Sequence, residues 1–413
     1  MSDAVQSLDR TKPVWTWPEL RRAPAAFRTF IELMARNWTH GVLEVVTPDG
    51  LSIPIRGGGD GPEGRLIVRD YRFVGRVLAG GAVGFAEGYM AGEWDTPDLS
   101  ALLTAIGRNF DRIRTSITGN PLVQLVNRAI HKLRPNTRAG SKRNIAAHYD
   151  LGNSFYEKWL DRTMTYSSAR YEKRGQDLSD AQTAKYRALA RTMGLQAGQT
   201  VLEIGCGWGG FAEFAAREVG ARVTGITISQ AQYDYAKARL FREGLAERTD
   251  IRLIDYRDVD GQFDRVASIE MFEAVGEEYW PTYFGKVRDV LAPGGRAGLQ
   301  IITIDDQLFE GYRRRADFIQ KYIFPGGVLP SIERLKQETA RADLDWKKLE
   351  RFGQDYADTL AEWGRRFRAA WPEIQAMGFD ERFKRLWQFY LSYCEAGFRI
   401  GRTDVIQLEL AKA

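Results

Sequence analysis

The sequence predicts an α/β fold in which a mostly parallel sheet carries helices on both faces, preceded by a smaller N-terminal α+β domain. Three observations carry that expectation. Apolar, strand-like runs at 200–205, 221–227, 250–255, 263–270 and 296–303 are separated by segments of helical spacing. Strands spaced by helices build a parallel sheet covered on both sides. A glycine-rich turn, Gly205-Cys206-Gly207-Trp208-Gly209-Gly210, follows the first of these runs and opens a helix. Finally, 413 residues exceed one ordinary domain, and the part before about residue 120 mixes short strands and helices differently.

Within that first part, VLEVVTPDGLSIPI (42–55) reads as a hairpin, with alternation on both sides of a Pro-Asp-Gly turn. GRLIVRDY (64–71) is a further strand. The stretch from Gly84 to Ile106 begins with glycines and ends in a helix that Asp98 or Ser100 caps. Leu122, Leu125, Val126, Ala129, Ile130 and Leu133 fall on one helical face. Basic residues follow without an acid between them, from Arg128 to Arg143. A basic amphipathic helix on a membrane surface and an ordinary packed helix with a solvated linker both fit this pattern. The division expected is an accessory domain at 1–133, a basic linker at 134–144 and a larger α/β domain at 145–413. In the last of these, Ser179 and Gln182 have capping-box spacing before a helix reaching Gly194, and Ser229 is placed to cap the helix after the second strand.

Composition narrows the function classes. The apolar share of 44% suits a globular protein. No run of 18 or more apolar residues offers a membrane span, and MSDAVQSLDRTKPVW lacks the apolar core of a secretory signal. Two cysteines, Cys206 and Cys394, build no disulfide framework and suit a reducing cytosol. With three scattered histidines they build no metal site. The net charge of +5 is compatible with an anionic membrane surface. It would equally suit nucleic acid, but no base-reading module or Asn-Pro-Pro-aromatic motif accompanies it.

The glycine turn lets backbone approach a ligand closely. A dinucleotide fold usually ends its second strand in an acid that holds the ribose. Here that strand ends Thr224-Gly225-Ile226-Thr227. Glu203 before the glycines, Asp255 after the third strand and the Pro-Gly-Gly turn before the fifth form a different set, which resembles the class I S-adenosylmethionine-dependent methyltransferases with their Rossmann-like sheet.

Longer motifs sharpen this. AAHYDLGNSFYEKWLDRTMTYSSARY, VLEIGCGWGGFAEFAA, GITISQAQ, SIEMFEAVGEEYW, DFIQKYIFPGGVLPS, FGQDYADTL and LSYCEAGFRIGRTDVIQL occur in this order. Together they resemble the cyclopropane-fatty-acyl-phospholipid synthases and mycolic acid methyltransferases, specifically over about 140–413 and more loosely before it. The resemblance implies methyl transfer from S-adenosylmethionine to the double bond of an unsaturated phospholipid acyl chain, by a cytoplasmic protein at the inner face of the membrane. It places Tyr149, Tyr166 and Ser167 at the methionine end of the cofactor, with Gly205, Cys206 and Gly207 close by. Thr227, Ile228, Ser229, Gln230, Ala231 and Gln232 would line the ribose region, and Tyr256 and Arg257 would flank the adenine.

An alkene is a weak nucleophile, so positioning beside the methyl donor must supply much of the rate. Methylation leaves a cation on the chain, which the faces of Tyr149, Tyr166 or Phe272 would stabilise. A base must then remove a proton to close the ring. In the family that base is a bound bicarbonate, whose cradle here would comprise Glu273, the Ile302 backbone and Tyr356, with Ser168 and Gln300 where the family has cysteine and histidine. Neither replacement brings positive charge. Cyclopropane formation is therefore the first expectation, and an open-chain methylene- or methyl-branched product the alternative. Cys394 is a further candidate for direct chemistry. The resemblance makes 145–413 the catalytic domain, with a lipid-binding insertion at about 305–375, in which the apolar YIFPGGVLPS segment is a candidate acyl tunnel and the arginines at 313–315 and 365–368, near Trp363 and Trp371, a candidate headgroup rim. A homodimer is compatible with the sequence, and a methyl-branched product would call for a partner oxidoreductase. A small-molecule methyltransferase of the same fold and a lipid-binding protein without catalysis are the competing readings.

Overall fold

The computed structural model describes residues 20–116, 151–314 and 317–412. The amphipathic segment at 121–133, the basic linker at 134–144 and Tyr149 lie outside them. The chain divides into two compact units: residues up to Ala129 together with Gly378–Ile400, and Ile130–Met377 together with Gly401–Ala413.

The first unit holds a four-stranded sheet in the order β2-β1-β3-β4. β1 (His40–Val46) and β2 (Ser52–Arg56) form the expected antiparallel hairpin, with Leu43 opposite Ile55 and Val45 opposite Ile53. All four side chains are buried, because alternation puts them on one face. β3 (Gly59–Val68) runs parallel to β1, and β4 (Trp94–Asp95) closes the edge. Gly84–Met90 is not a glycine-led connector but the last part of a helix, Arg72–Met90, kinked at Gly81. Gly88 is small for a packing reason: a Cβ there would lie 3.1 Å from the Trp94 ring.

Asp98 caps the next helix, Leu99–Ser116, by accepting from the Ala101 amide at 2.9 Å. Asp98→Ala is expected to lower the unfolding free energy by about 1 kcal/mol, as measured by urea denaturation, with the enzymatic properties of the other unit unchanged.

The helix Glu381–Arg399 belongs to this first unit, which departs from the expectation of one catalytic domain from 145 onward. Ser100 donates to Glu395 Oε2 at 2.6 Å, and Arg385 donates to the carbonyls of Tyr89 and Trp94 at 2.5 and 2.9 Å. The helix buries Trp387, Tyr390, Leu391 and Phe398. An amphipathic stripe states that a helix packs, but not against which element.

The second unit is a seven-stranded sheet in the order β10-β11-β9-β8-β5-β6-β7. β5 (Thr200–Ile204), β6 (Arg222–Thr227), β7 (Thr249–Leu253), β8 (Phe263–Ile269) and β9 (Leu291–Ile304) are parallel and match the five predicted strands. β10 (Leu344–Arg351) and β11 (Thr403–Lys412) add an antiparallel edge, with β11 inserted between β9 and β10. One apolar cluster includes Trp280, Phe284, Val287 and Leu299, and another includes Leu189, Phe211, Phe214 and Leu240.

Ser229 caps its helix as expected, accepting from the Gln232 amide. The capping box at Ser179 and Gln182 does not form. The helix Leu178–Thr192 starts earlier, with Asp177 accepting from the Ser179 amide at 2.8 Å, and the buried Gln182 amide donates to the Ser167 carbonyl at 2.9 Å. A carboxylate is available at the true first turn, so the glutamine is spent on a tertiary contact.

Candidate active site

In an open parallel sheet the strand order reverses beside the first strand, and the loops leaving the carboxyl ends of the strands there form the usual ligand crevice. The glycine turn leaves β5 at that place. Gly205, Gly207 and Gly209 all have positive φ, of 83°, 52° and 84°. The amides of Gly205 and Cys206 both donate to the Ile226 carbonyl, at 3.0 and 2.9 Å. A Cβ on Gly205 would lie 2.7 Å from Met271 Cγ, whereas one on Gly207 would meet nothing within 4 Å. The turn is thus locked against the protein at Gly205 and open at Gly207, as a site for close ligand approach requires. Cys206 is buried, and desolvation pushes its thiol well above the usual range, so it packs as a small apolar residue.

After β6, Thr227 donates to Gln232 Oε1 at 2.9 Å and accepts from the Ser229 amide at 3.1 Å. Ile228 is partly buried, while Gln230 and Ala231 are exposed. The Gln230 amide donates to Asp234 at 2.9 Å. Asn153 ties this loop to the glycine turn: it accepts from Trp208 Nε1 at 2.8 Å and donates to the Ala231 carbonyl at 3.4 Å. After β7, Arg257 makes a paired contact with Asp255 at 2.8 and 2.7 Å, and Tyr256 packs edge-on against Tyr283. Tyr166 is held between Tyr156, Trp159 and Trp363, with ring centroids 5.3–5.6 Å away. Ser167 accepts from the ammonium of Lys185 at 2.6 Å.

Three of the residues expected to cradle an anion, Ser168, Gln300 and Tyr356, instead converge on a carboxylate that the sequence analysis did not single out. Glu270, just after β8, accepts from the Ser168 amide and from Gln300 Nε2 on one carboxylate oxygen, both at 2.8 Å. Its other oxygen accepts from the Tyr356 hydroxyl at 2.7 Å. Glu273 accepts from the Ile302 amide at 2.5 Å. Gln407 of β11 donates to Gln300 Oε1 at 3.1 Å, which fixes the Gln300 amide with its nitrogen toward Glu270. Only the backbone of Ser168 serves the cradle, because its hydroxyl donates to the Ala169 carbonyl at 2.8 Å. Positive charge comes from Lys185, fully buried on the helix Leu178–Thr192, which interacts electrostatically with Glu270, Glu203 and Asp161. The signal for Glu270 lay in the SIEMFE string; that for Lys185 was its place on the buried stripe of Leu178, Ala181, Gln182, Tyr186 and Leu189.

Desolvation lowers the Lys185 pKa and raises that of Glu270, while each partner's charge opposes the shift of the other. Glu273 is pushed up to about 8, first by desolvation and then by the Glu270 charge. Burial and the neighbouring Glu270 charge thus both favour the protonated form of Glu273. An acid whose folded pKa is raised favours the folded state below its ordinary value of 4.5 and loses that contribution as pH rises toward 8. Glu273→Gln should thus gain stability relative to the unaltered protein as pH rises through this window. Thermal melts at a series of pH values check it; a pH-independent difference would refute the assignment.

Other candidates fall elsewhere. Phe272 is 1% exposed and packs against Trp280, Tyr283 and Phe284, so it is a core residue with no face for a cation. Cys394 is carried on the helix Glu381–Arg399 of the first unit and is not among the side chains that the second unit brings together. Arg313 and Arg314 pair with Glu277 and Glu310, Arg365 and Arg366 pair with Glu362, and Trp363 and Trp371 are buried. These arginines are matched locally by acids, and the tryptophans face the interior. Arg315 lies outside the described residues. The YIFPGGVLP segment does join the cradle: the Val328 amide donates to the Glu273 carbonyl at 3.0 Å, and the Pro330 carbonyl accepts from Ile304 at 2.9 Å.

A seven-stranded sheet with one inserted antiparallel strand, a glycine turn after its first parallel strand and ligand loops at the carboxyl ends define a class I S-adenosylmethionine-dependent methyltransferase. Residues 136–408 match the mycolic acid cyclopropane synthetase family. The chain is 37% identical to the tuberculostearic acid methyltransferase UfaA1 of Mycobacterium tuberculosis, over 96% of this chain and 95% of that one. It is 36% identical to the cyclopropane-fatty-acyl-phospholipid synthase of Escherichia coli, over 91% and 94%. The solved mycolic acid cyclopropane synthase CmaA1, complexed with SAH and CTAB, superposes with a TM-score of 0.62 at 31% identity, over 66% of this chain and 98% of that one. This chain belongs to that family and is an S-adenosylmethionine-dependent fatty acid methyltransferase.

Proposed function

We propose that the protein methylates the double bond of an unsaturated acyl chain in a membrane phospholipid, and that a proton then leaves the methylated chain. The observation that carries this reading is the partly accessible pair Glu270 and Glu273, with the apolar 322–330 segment hydrogen-bonded to the same loop. An acyl chain lying along that segment brings its double bond beside a proton acceptor.

The methyl group comes from S-adenosylmethionine. The open backbone at Gly207 fits its close approach, and Tyr166 and Ser167 are assigned to its methionine end. Thr227 to Gln232 are assigned to the ribose, where Gln232 offers its amide nitrogen because its oxygen is used by Thr227. Tyr256 and Arg257 are assigned to the adenine, with the Arg257 charge answered by Asp255. Tyr166, wedged between two tryptophans and a tyrosine, is the aromatic face proposed to stabilise the cation on the chain. The proposed setting is cytoplasmic, at the inner membrane face; among the described residues no helix is long and apolar enough to cross a bilayer.

Two products are compatible with proton loss from such a cation. Cyclopropane closure follows the synthase relative, and open-chain methylation follows the tuberculostearic acid methyltransferase relative, which aligns over nearly the whole chain. Expression in a host that makes monounsaturated phospholipids but cannot modify them, with methyl-labelled methionine, tests this by mass spectrometry of the lipids. A ring product, or a branched one that hydrogenates to a methyl branch, supports acyl-chain methylation and selects between the two. Unchanged lipids, with the folded protein still binding S-adenosylmethionine, refute it.

A further inference from the structure

A bicarbonate ion, the base that the family resemblance implies, does not fit this cradle. The donors that would hold it are already committed: the Ser168 amide, Gln300 Nε2 and the Tyr356 hydroxyl all go to Glu270, and the Ile302 amide goes to Glu273. An exogenous anion would have to displace a resident carboxylate from its hydrogen bonds while adding a like charge beside two acids.

The backbone gives an independent sign that Glu270 is held there for a purpose. Its φ is +51°, in the left-handed region that side chains other than glycine adopt at a cost. A carboxylate at a position glycine would occupy more cheaply points to use of the side chain. Lys185, buried nearby, supplies the positive charge that Ser168 and Gln300 lack.

We propose that the Glu270 carboxylate is a built-in replacement for the exogenous anion and takes the proton from the methylated acyl chain. A carboxylate has about four lone-pair sites. Three are used by the donors above, and the remaining one, on the oxygen bonded to Tyr356, receives the proton. The C–H electron pair stays with the chain and becomes either the last ring bond or a new double bond, discharging the cation. Glu270 becomes neutral and returns the proton to solvent between turnovers.

This inference rests on the acyl-chain reading for its substrate, so the test has a binding arm that does not depend on turnover. The assay uses the full-length protein, S-adenosylmethionine and vesicles of monounsaturated phosphatidylethanolamine and phosphatidylglycerol, in buffer stripped of carbon dioxide. The unaltered protein should work equally fast with and without added bicarbonate. Glu270→Gly relieves the backbone and opens the cradle; its rate should fall by about a hundredfold or more, the usual worth of a positioned base, and rise again on adding bicarbonate. Glu270→Gln keeps the cradle filled but accepts no proton, so it should be slow and unrescued. In parallel, isotopically labelled bicarbonate followed by NMR should bind Glu270→Gly and not the unaltered protein. A wild-type rate that collapses without bicarbonate, or a Glu270→Gln variant of full activity, overturns the proposal. If the unaltered protein binds S-adenosylmethionine but modifies no lipid, the acyl-chain reading fails and Glu270 loses its role as base, while the NMR arm still reports whether Glu270 fills the cradle.

Discussion

Lys185→Met lowers the stability of the protein by about 3–5 kcal/mol, the usual cost of removing one partner from a buried charge pair, and adding Glu270→Gln recovers a large part of that loss. Lys185 is wholly buried, donates to Ser167 at 2.6 Å and is the positive charge acting on Glu270, Glu203 and Asp161. Methionine fills nearly the same volume, so a large loss cannot be assigned to a cavity. What remains is uncompensated negative charge in a low-dielectric interior, and neutralising Glu270 removes part of it. Urea denaturation of the two single variants and the double variant closes the cycle. Equal destabilisation of Lys185→Met with and without Glu270→Gln would show that the two residues do not share a charge balance.

Gly205→Val weakens S-adenosylmethionine binding at least tenfold by calorimetry. A side chain at φ 83° is strained, and its Cβ would stand 2.7 and 3.0 Å from the Met271 side chain. Relief requires the turn to move, and with it the amides of Gly205 and Cys206 that fix the loop on Ile226. Only about 1.4 kcal/mol of lost complementarity yields a factor of ten. Gly198→Ala is the control, since φ there is 79° with nothing within 4 Å of the added carbon. It should cost stability and leave cofactor affinity alone. Unchanged affinity in Gly205→Val would sever the turn from cofactor binding.

These two residues show what the sequence makes readable. Gly205 announces itself, because glycines after a strand and before a helix have few other uses. The five parallel strands and the β1–β2 hairpin are equally legible, since apolar runs and alternation are local patterns. Lys185 is not, because a lysine within a helical segment is ordinarily read as solvated; only its position on the buried stripe, and the acids brought there by β5 and β8, make it a charge partner. Glu270 sat three residues from Glu273 in the same string, but which of two nearby carboxylates enters a cradle depends on a backbone turn at positive φ that residue type does not announce. The helix carrying Cys394 follows the same logic. Its stripe is clear, yet its packing partners lie almost three hundred residues earlier in the sequence.

The placement of that helix also bears on how the protein is made. The stretch 378–400 completes the first unit, and the residues directly after it form β11, which pairs with β9 on one side and β10 on the other. A ribosome that has reached residue 377 has therefore finished neither unit, and β9 still presents an unpaired edge from Arg296 to Ile304. Such an edge is open to pairing with other chains. Gln407, which sets the Gln300 amide, arrives only with β11, so the nascent chain holds an unassembled anion cradle until synthesis has passed β11. Early termination in this region would yield an aggregation-prone fragment in which both units are incomplete.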